Sequence, residues 1–236
     1  MIAVVLFDLD DTLFAHRQAV DRGIREHLGS LAADPAAEAK RWHDLEEQHY
    51  PRYLSGELDL LAQRRMRSRA LAEPYGFDLA SDAAADAWYD RYYLHYVGAW
   101  ALHDDAMPCL DALAAAGLRV GVITNGDPVF QSDKIAAVGL GDRLQAVIAS
   151  GALGFAKPDA RIFRHACEVF GVEPSEAMYV GDRLQTDAIG AADAGLTGVW
   201  LDRAGVATSD ELAKAAASRV AVIRSLAAVP GLVSAP

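Results

Sequence analysis

Four carboxylates, a threonine and a lysine occupy positions from which they could act together. "DLDDT" sets Asp8, Asp10, Asp11 and Thr12 directly after the apolar run Ile2 to Phe7. "ITNGD" brings Thr124, Asn125, Gly126 and Asp127 after a second apolar run, "FAKPD" carries Lys157, and "GDRLQTD" carries Asp182 and Asp187. Asp8, Asp10, Asp182 and Asp187 gathered in one place would repel, and some would take up protons unless a cation joined them. A hard divalent ion relieves that repulsion, and Mg²⁺ in particular takes a few carboxylates, retained waters and substrate phosphate oxygens. The set therefore predicts a Mg²⁺ site. Thr124 and Lys157, with the backbone N–H groups near Asn125 and Gly126, suit the other oxygens of a phosphate and complete a phosphoryl clamp. The sequence contains no glycine-rich P-loop and no GxSxG nucleophile motif, so the attacking group falls to a carboxylate. Aspartate attack on phosphorus gives an acyl phosphate that water later removes. Asp8 is the candidate nucleophile. Asp10 is placed to protonate the leaving oxygen and then to take a proton from the hydrolytic water.

These residues can meet only if the elements carrying them share an edge. Five short apolar or β-branched runs, Ile2 to Phe7, Leu118 to Ile123, Ala146 to Ser150, Ala177 to Val180 and Thr197 to Leu201, alternate with helical patterns. That alternation predicts an α/β fold, a Rossmann-like parallel sheet covered by helices, with strands buried on both faces. Ligands of such sheets bind beyond the carboxyl ends of the strands, which is where the polar stretches fall. Residues 15–98 break the rhythm with four helical candidates, Arg17 to Leu31, Pro35 to His49, Leu58 to Leu71 and Asp82 to Tyr96. Asp34 before Pro35 and Ser81 before Asp82 read as N-caps. A mostly helical unit at about 15–98 is thus expected as an insertion into an α/β core of residues 1–14 and 99–236. Within that core, Leu110, Leu113 and Ala114 suggest a helical face that Gly117 ends. The stretch from Ser209 to about Val233 reads as a capped helix, a brief "VAVI" strand and a last short helix.

Composition sets the outer limits. The chain of 236 residues is half apolar, enough for a sizeable core. Its formal charge of -11 speaks against a nucleic-acid partner, which would need a basic face. Cys109 and Cys167 show no metal-ligand spacing and no disulfide framework, which fits a reduced, cytoplasmic setting. The run Ile2 to Phe7 is too short for a signal-peptide core, and no segment approaches a membrane span. No membrane partner is expected, and no feature of the sequence sets an oligomeric state.

Taken in order, "DLDDT", "ITNG", "AKPD" and "GDRLQTD" resemble the four motifs of the haloacid dehalogenase superfamily of phosphohydrolases, and the likeness covers nearly the whole chain. The resemblance implies that Asp8 is nucleophile and metal ligand, and that Asp10 is general acid and base and lends its backbone carbonyl to the metal. It further implies that Thr124 binds the phosphoryl group and that Lys157 neutralises Asp8 and the phosphoryl group. Asp182 would hold Mg²⁺ directly or through water, Asp187 would complete the metal shell through water, and Asp11 and Thr12 would shape the turn. The resemblance also implies that the helical insertion is a cap, which in the family closes over the catalytic edge. The implied reaction is Mg²⁺-dependent hydrolysis of a small phosphorylated metabolite. Superfamily rivals are a 2-haloacid dehalogenase, in which a non-acidic residue is expected at the position of Asp10, and a phosphomutase. A binding protein of the same fold without turnover is a third.

Other polar residues invite plainer readings. Asp127, Asp159 and Asp193 read as loop or surface acids, and His16, His43 and His49 as surface or interface residues, since none has metal-ligand spacing. In "QRRMRSRAL", Leu58, Leu61, Ala62, Met66 and Ala70 suggest an apolar stripe with Arg65 and Arg69 at its edge. Either the two arginines cover apolar surface with their stems, or one of them binds the polar tail of the substrate.

Overall fold

Val4–Phe7 forms strand β1, and all four side chains are fully buried, as a central parallel strand covered on both faces requires. In the computed structural model, which describes residues 1–233, five further strands follow: β2 (Arg119–Thr124), β3 (Ala146–Ala149), β4 (Ala177–Gly181), β5 (Thr197–Leu201) and β6 (Ala221–Ile223). They make one sheet in the order β3-β2-β1-β4-β5-β6, parallel throughout. Val5 lies opposite Val120 of β2 on one side and Met178 of β4 on the other. The order runs outward in both directions from the β1/β4 pair, so the crevice of the sheet opens at the carboxyl ends of those two strands.

The chain divides into two units, one of residues 1–15 and 102 onward, the other of residues 16–101. The second unit is helical: α1 (His16–Leu28), α2 (Pro35–Leu54), α3 (Leu60–Ala72) and α4 (Asp82–Gly98). Asp34 caps α2 by accepting from the N–H groups of Ala36 and Ala37, and Ser81 caps α4 by accepting from Ala84. Its core is aromatic, with Trp42, Trp88, Tyr92 and Tyr96 buried and the rings of Trp42 and Tyr92 edge to face at 4.7 Å. Gly23 lets α1 approach α4, because a Cβ there would stand 3.0 Å from the Cα of Tyr96.

Three details of this unit differ from the sequence expectation. Helix α2 does not stop at His49 but continues through Pro51, which falls in the last turn; the Ser55 N–H then bonds the Pro51 carbonyl at 3.0 Å. A proline there forfeits one bond rather than breaking a helix interior. Helix α3 does not bury the stripe of Leu58, Leu61, Ala62, Met66 and Ala70. It buries Gln63, Arg67, Ser68, Leu71 and Ala72 and leaves Leu61 exposed. Tertiary partners explain the inversion. The Arg67 guanidinium lies 4.3 Å from the Trp42 ring centroid and donates to Glu46 Oε1 at 3.3 Å, and the Ser68 hydroxyl donates to the Arg64 carbonyl at 2.9 Å. Burial alone would raise the Glu46 carboxyl, but Arg67 and His16 hold it well below the usual range. His49 is likewise buried rather than at the surface, with its Nδ1 3.4 Å from Arg52 Nη1.

The first unit completes its layers with α5 (Ala106–Ala115), α6 (Pro128–Ala137), α7 (Ala160–Phe170), α8 (Gly190–Asp193), α9 (Ser209–Ala217) and α10 (Val229–Val233). Helix α5 buries Ala106, Cys109, Leu110 and Leu113, spaced three and four apart. Ala114, expected on the same face, is exposed. Under the sheet, Leu6, Ile123, Phe163, Phe170 and Tyr179 belong to one apolar cluster. Among the described residues no helix is long and apolar enough to cross a membrane, and both cysteines are free and buried.

Candidate active site

The ends of β1, β2 and β4 and the loop between β3 and α7 bring the candidate residues together. The Asp8 N–H bonds the Val180 carbonyl at 2.9 Å and continues the β1/β4 ladder one residue beyond the strand. The chain then turns sharply. Asp11 takes φ +60°, the left-handed region that aspartate tolerates better than most residues, and its N–H bonds the Phe14 carbonyl at 2.7 Å. Buried Thr12 lies beneath this turn with its hydroxyl 3.5 Å from Asp8 Oδ2. Asp8, Asp182 and Asp187 each offer a carboxylate oxygen, and these atoms lie within 4.8 Å of one another.

Asp182 follows β4 and is fixed from behind by the Trp200 indole N–H, which donates to its backbone carbonyl at 2.9 Å. Asp187 sits in a single π-helical turn, Leu184–Ile189, and its Oδ2 accepts from the Arg183 N–H at 3.0 Å. That turn packs tightly on the end of β4. A Cβ on Gly181 would stand 2.5 Å from the Asp187 Cβ, so only glycine admits the carboxylate here.

Lys157 ties the cluster together. Its ammonium donates to Asp8 Oδ1 at 2.5 Å, Asp187 Oδ1 at 2.7 Å and the Tyr179 hydroxyl at 2.8 Å, three bonds for three protons. Burial alone would depress this lysine, but Asp187 and Asp8 reverse the effect and hold it protonated well above its ordinary range. The carboxylates are less well served. Burial, opposed by Lys157 and reinforced by Asp187 and Asp10, pushes Asp8 from 3.8 up to about 7. Asp182 is raised well above its ordinary value, by burial first and then by the charges of Asp8 and Asp187. Three acids converge and the one lysine among them bonds only two, and this excess of negative charge is what a cation would relieve.

The Asn125 side chain and the Gly126 N–H are engaged within the chain. The Asn125 side chain makes a pair of bonds to the backbone of Lys157, Nδ2 to the carbonyl at 3.0 Å and Oδ1 from the N–H at 2.9 Å. The Gly126 N–H is spent on the Ser150 hydroxyl at 3.0 Å. Asp127 caps α6 through the Phe130 N–H, and Asp159 caps α7 through the Arg161 N–H. Arg65 and Arg69 engage acids of their own helical unit. Arg65 makes a two-pronged pair with Asp86, at 2.7 and 2.6 Å, and reaches Asp82 at 2.8 Å; Arg69 bonds Asp82 at 2.7 Å and the Leu79 carbonyl at 2.8 Å.

Sequence reasoning did not single out Gln131, Lys134, Ser150 or Tyr179. Gln131 Nε2 donates to the Thr124 hydroxyl at 2.7 Å and to Asp10 Oδ2 at 3.2 Å, and Lys134 Nζ donates to Asp10 Oδ1 at 2.7 Å. Their spacing on α6 places them together but gives no sign in the sequence of what they meet. Gln131, Lys134 and Ile135 stand three and four apart on the buried face of α6.

A family model described as haloacid dehalogenase-like hydrolase matches residues 2–195. The chain is 34% identical to a phosphoserine phosphatase of Thermus thermophilus, with 85% of this chain and 88% of that protein covered. It is 32% identical to a glyceraldehyde 3-phosphate phosphatase of Pyrococcus abyssi, covering 85% and 81%. Among solved structures, a HAD-hydrolase from Bacillus subtilis bound to magnesium superposes with a TM-score of 0.77 at 19% identity over 99% of both chains, a likeness of fold. With most of its length matched by that family model and the four motifs following β1, β2, β3 and β4 in order, the chain belongs to the haloacid dehalogenase-like hydrolases.

Proposed function

We propose that the protein is a Mg²⁺-dependent phosphatase that hydrolyses small phosphomonoesters through an aspartyl phosphate on Asp8. The observation that carries this reading is the convergence of Asp8, Asp182 and Asp187 within 4.8 Å, with Lys157 bonded to two of them. The hard oxygen donors and the surplus negative charge fit Mg²⁺, which Asp8 and Asp182 would hold together with the Asp10 carbonyl, Asp187 completing the shell through water. When bound, the ion offsets the charge of the carboxylates and of the phosphoryl oxygens.

The residues then divide the work. Asp8 attacks phosphorus, and Asp10 gives its proton to the departing alcohol. Lys157 and the Thr124 hydroxyl hold the phosphoryl oxygens. In the second half Asp10 takes a proton from the water that attacks the aspartyl phosphate, which frees Asp8 and releases inorganic phosphate. An acid at position 10 favours phosphorus over carbon, because a departing halide needs no proton. The names of the relatives, phosphoserine and glyceraldehyde 3-phosphate phosphatases, suggest three-carbon leaving groups as the first natural compounds to test.

The test is phosphate release from 4-nitrophenyl phosphate with Mg²⁺, with EDTA, and by Asp8→Asn. Turnover that needs Mg²⁺ and disappears in Asp8→Asn is expected. Turnover that survives in Asp8→Asn removes Asp8 as nucleophile and the mechanism with it.

A further inference from the structure

Helix α6 carries a buried lysine that grips the residue two positions after Asp8. Lys134 is 1% exposed, and its ammonium lies 4.8 Å from the Phe130 ring centroid and 5.1 Å from that of Phe14. It meets Asp10 Oδ1 at 2.7 Å, while the Asp10 side chain remains 29% exposed. One turn earlier, Gln131 is equally buried and bridges Asp10 Oδ2 and the Thr124 hydroxyl.

We propose that Lys134, supported by Gln131, is a positioning residue that fixes the Asp10 carboxylate for proton transfer to the leaving group. The inference rests on the acid and base role given to Asp10 above. Burying an ammonium is costly unless an anion meets it. Here the anion is supplied by the edge of the reaction centre rather than by a structural acid elsewhere. The two aromatic rings confine the lysine stem, so the ammonium is a fixed post and Asp10 is the partner whose rotamer it sets. Both Asp10 oxygens are engaged from α6, Oδ1 by Lys134 and Oδ2 by Gln131, which defines the plane of the carboxylate as well as its place. Gln131 has a second effect. Because its amide N–H donates to Thr124 Oγ1, the Thr124 hydroxyl proton is left for an oxygen of the phosphoryl group. A single helix face thus orients the group that moves the proton and a group that holds the phosphate. Misplacement by about 1 Å of a reacting group can cost on the order of 100-fold, so such a post has a catalytic consequence without touching substrate.

The experiment compares kcat/KM for phenyl phosphate, a poor leaving group, with that for 4-nitrophenyl phosphate, a good one, both with saturating Mg²⁺. This ratio reports the step in which the alcohol departs, and a merely structural lesion lowers both values alike. Lys134→Met is expected to lose about 10-fold or more in kcat/KM on phenyl phosphate beyond its loss on 4-nitrophenyl phosphate. Asp10→Asn should show the same selectivity, and Lys134→Arg should recover most of it. If Lys134→Met does not fold, Lys134→Gln, which keeps an N–H donor of similar reach, carries the same comparison. Selective loss in Asp10→Asn with equal losses in the Lys134 variants overturns the inference and leaves the role of Asp10 standing. No selectivity in either overturns both. Selectivity in the Lys134 variants alone would make Lys134 itself the proton donor and end its positioning role.

Discussion

Every proton of one ammonium is committed at the centre of this molecule, and the commitments are unequal in purpose. Lys157 bonds Asp8 and Asp187, which belong to the acid cluster, and Tyr179, which rises from the middle of β4 and also donates to the Ile123 carbonyl at 3.0 Å. The tyrosine holds the lysine from the sheet side while the acids draw it toward the strand ends. Removing the charge in Lys157→Met should lower phosphate release by about 100-fold or more, measured as kcat at saturating Mg²⁺. Asn125 acts on the same lysine through its backbone. Asn125→Ala, which deletes both bonds of that clamp, should cost kcat about 10-fold or more while 4-nitrophenyl phosphate KM changes little, as expected of a residue that positions another. An unchanged kcat would return Asn125 to the ranks of ordinary turn residues.

At this scale the sequence was legible where chemistry coincides with a strand end. Asp8, Lys157, Asp182 and Asp187 are brought together because motif order and strand order leave few other arrangements of a parallel sheet. The Asn125 side-chain clamp on Lys157 was harder to read, since a polar turn after a strand can serve a ligand, a neighbouring loop or both. Lys134 and Gln131 were hidden for the opposite reason. A lysine and a glutamine on a helix are ordinarily solvated, and nothing local says that Asp10 will come to meet them.

Elements show the same tension between pattern and partner. Helix α3 has apolar residues on one face, yet it turns Arg67 inward because Glu46 and the Trp42 ring await it. Removing one member of such a buried pair leaves the other uncompensated, so Arg67→Met should destabilise the protein by about 3 kcal/mol or more, read from urea unfolding. The end of β4 makes a second demand. Gly181→Ala forces the Asp187 carboxylate away from the strand and should cost roughly 1–3 kcal/mol in the same assay. Both helix caps at Asp34 and Ser81 were readable from single residues, whereas the extension of α2 past Pro51 was not, because a proline in a final turn breaks little.

Across the whole molecule, the crowding of acids makes stability depend on pH in a definite direction. Asp8 titrates near 7 in the folded chain against 3.8 when unfolded, and Asp182 is raised as well. Between those values the folded form binds protons that the unfolded form has released, so the stabilising effect of the protons is full below about pH 4 and fades as pH rises through about 7. Mg²⁺ should supply at high pH what protons supply at low pH. The rise in Tm on adding MgCl₂ should therefore be larger at pH 8 than at pH 5, with stabilisation of roughly 2.7 kcal/mol at 100 times Kd. Equal shifts at the two pH values would mean that the ion binds elsewhere.

The way the helical unit is spliced into the chain has a kinetic meaning. Phe14 and Leu102 form an antiparallel bridge, and the His103 N–H bonds the Leu13 carbonyl at 2.9 Å, so the entry to residues 16–101 and the exit from them lie side by side. β1 must nevertheless find β2 across that whole stretch, and an unstructured loop of such length makes closure slow. If α1 to α4 assemble early, the same stretch becomes a finished hairpin whose two ends already present β1 to the strand it needs. Arg67→Met, a lesion confined to the helices, should then slow the refolding of the sheet as followed by pulsed hydrogen-exchange labelling of the β1 and β2 amides. Order of assembly, and not only final architecture, would be written into the place where the chain was interrupted.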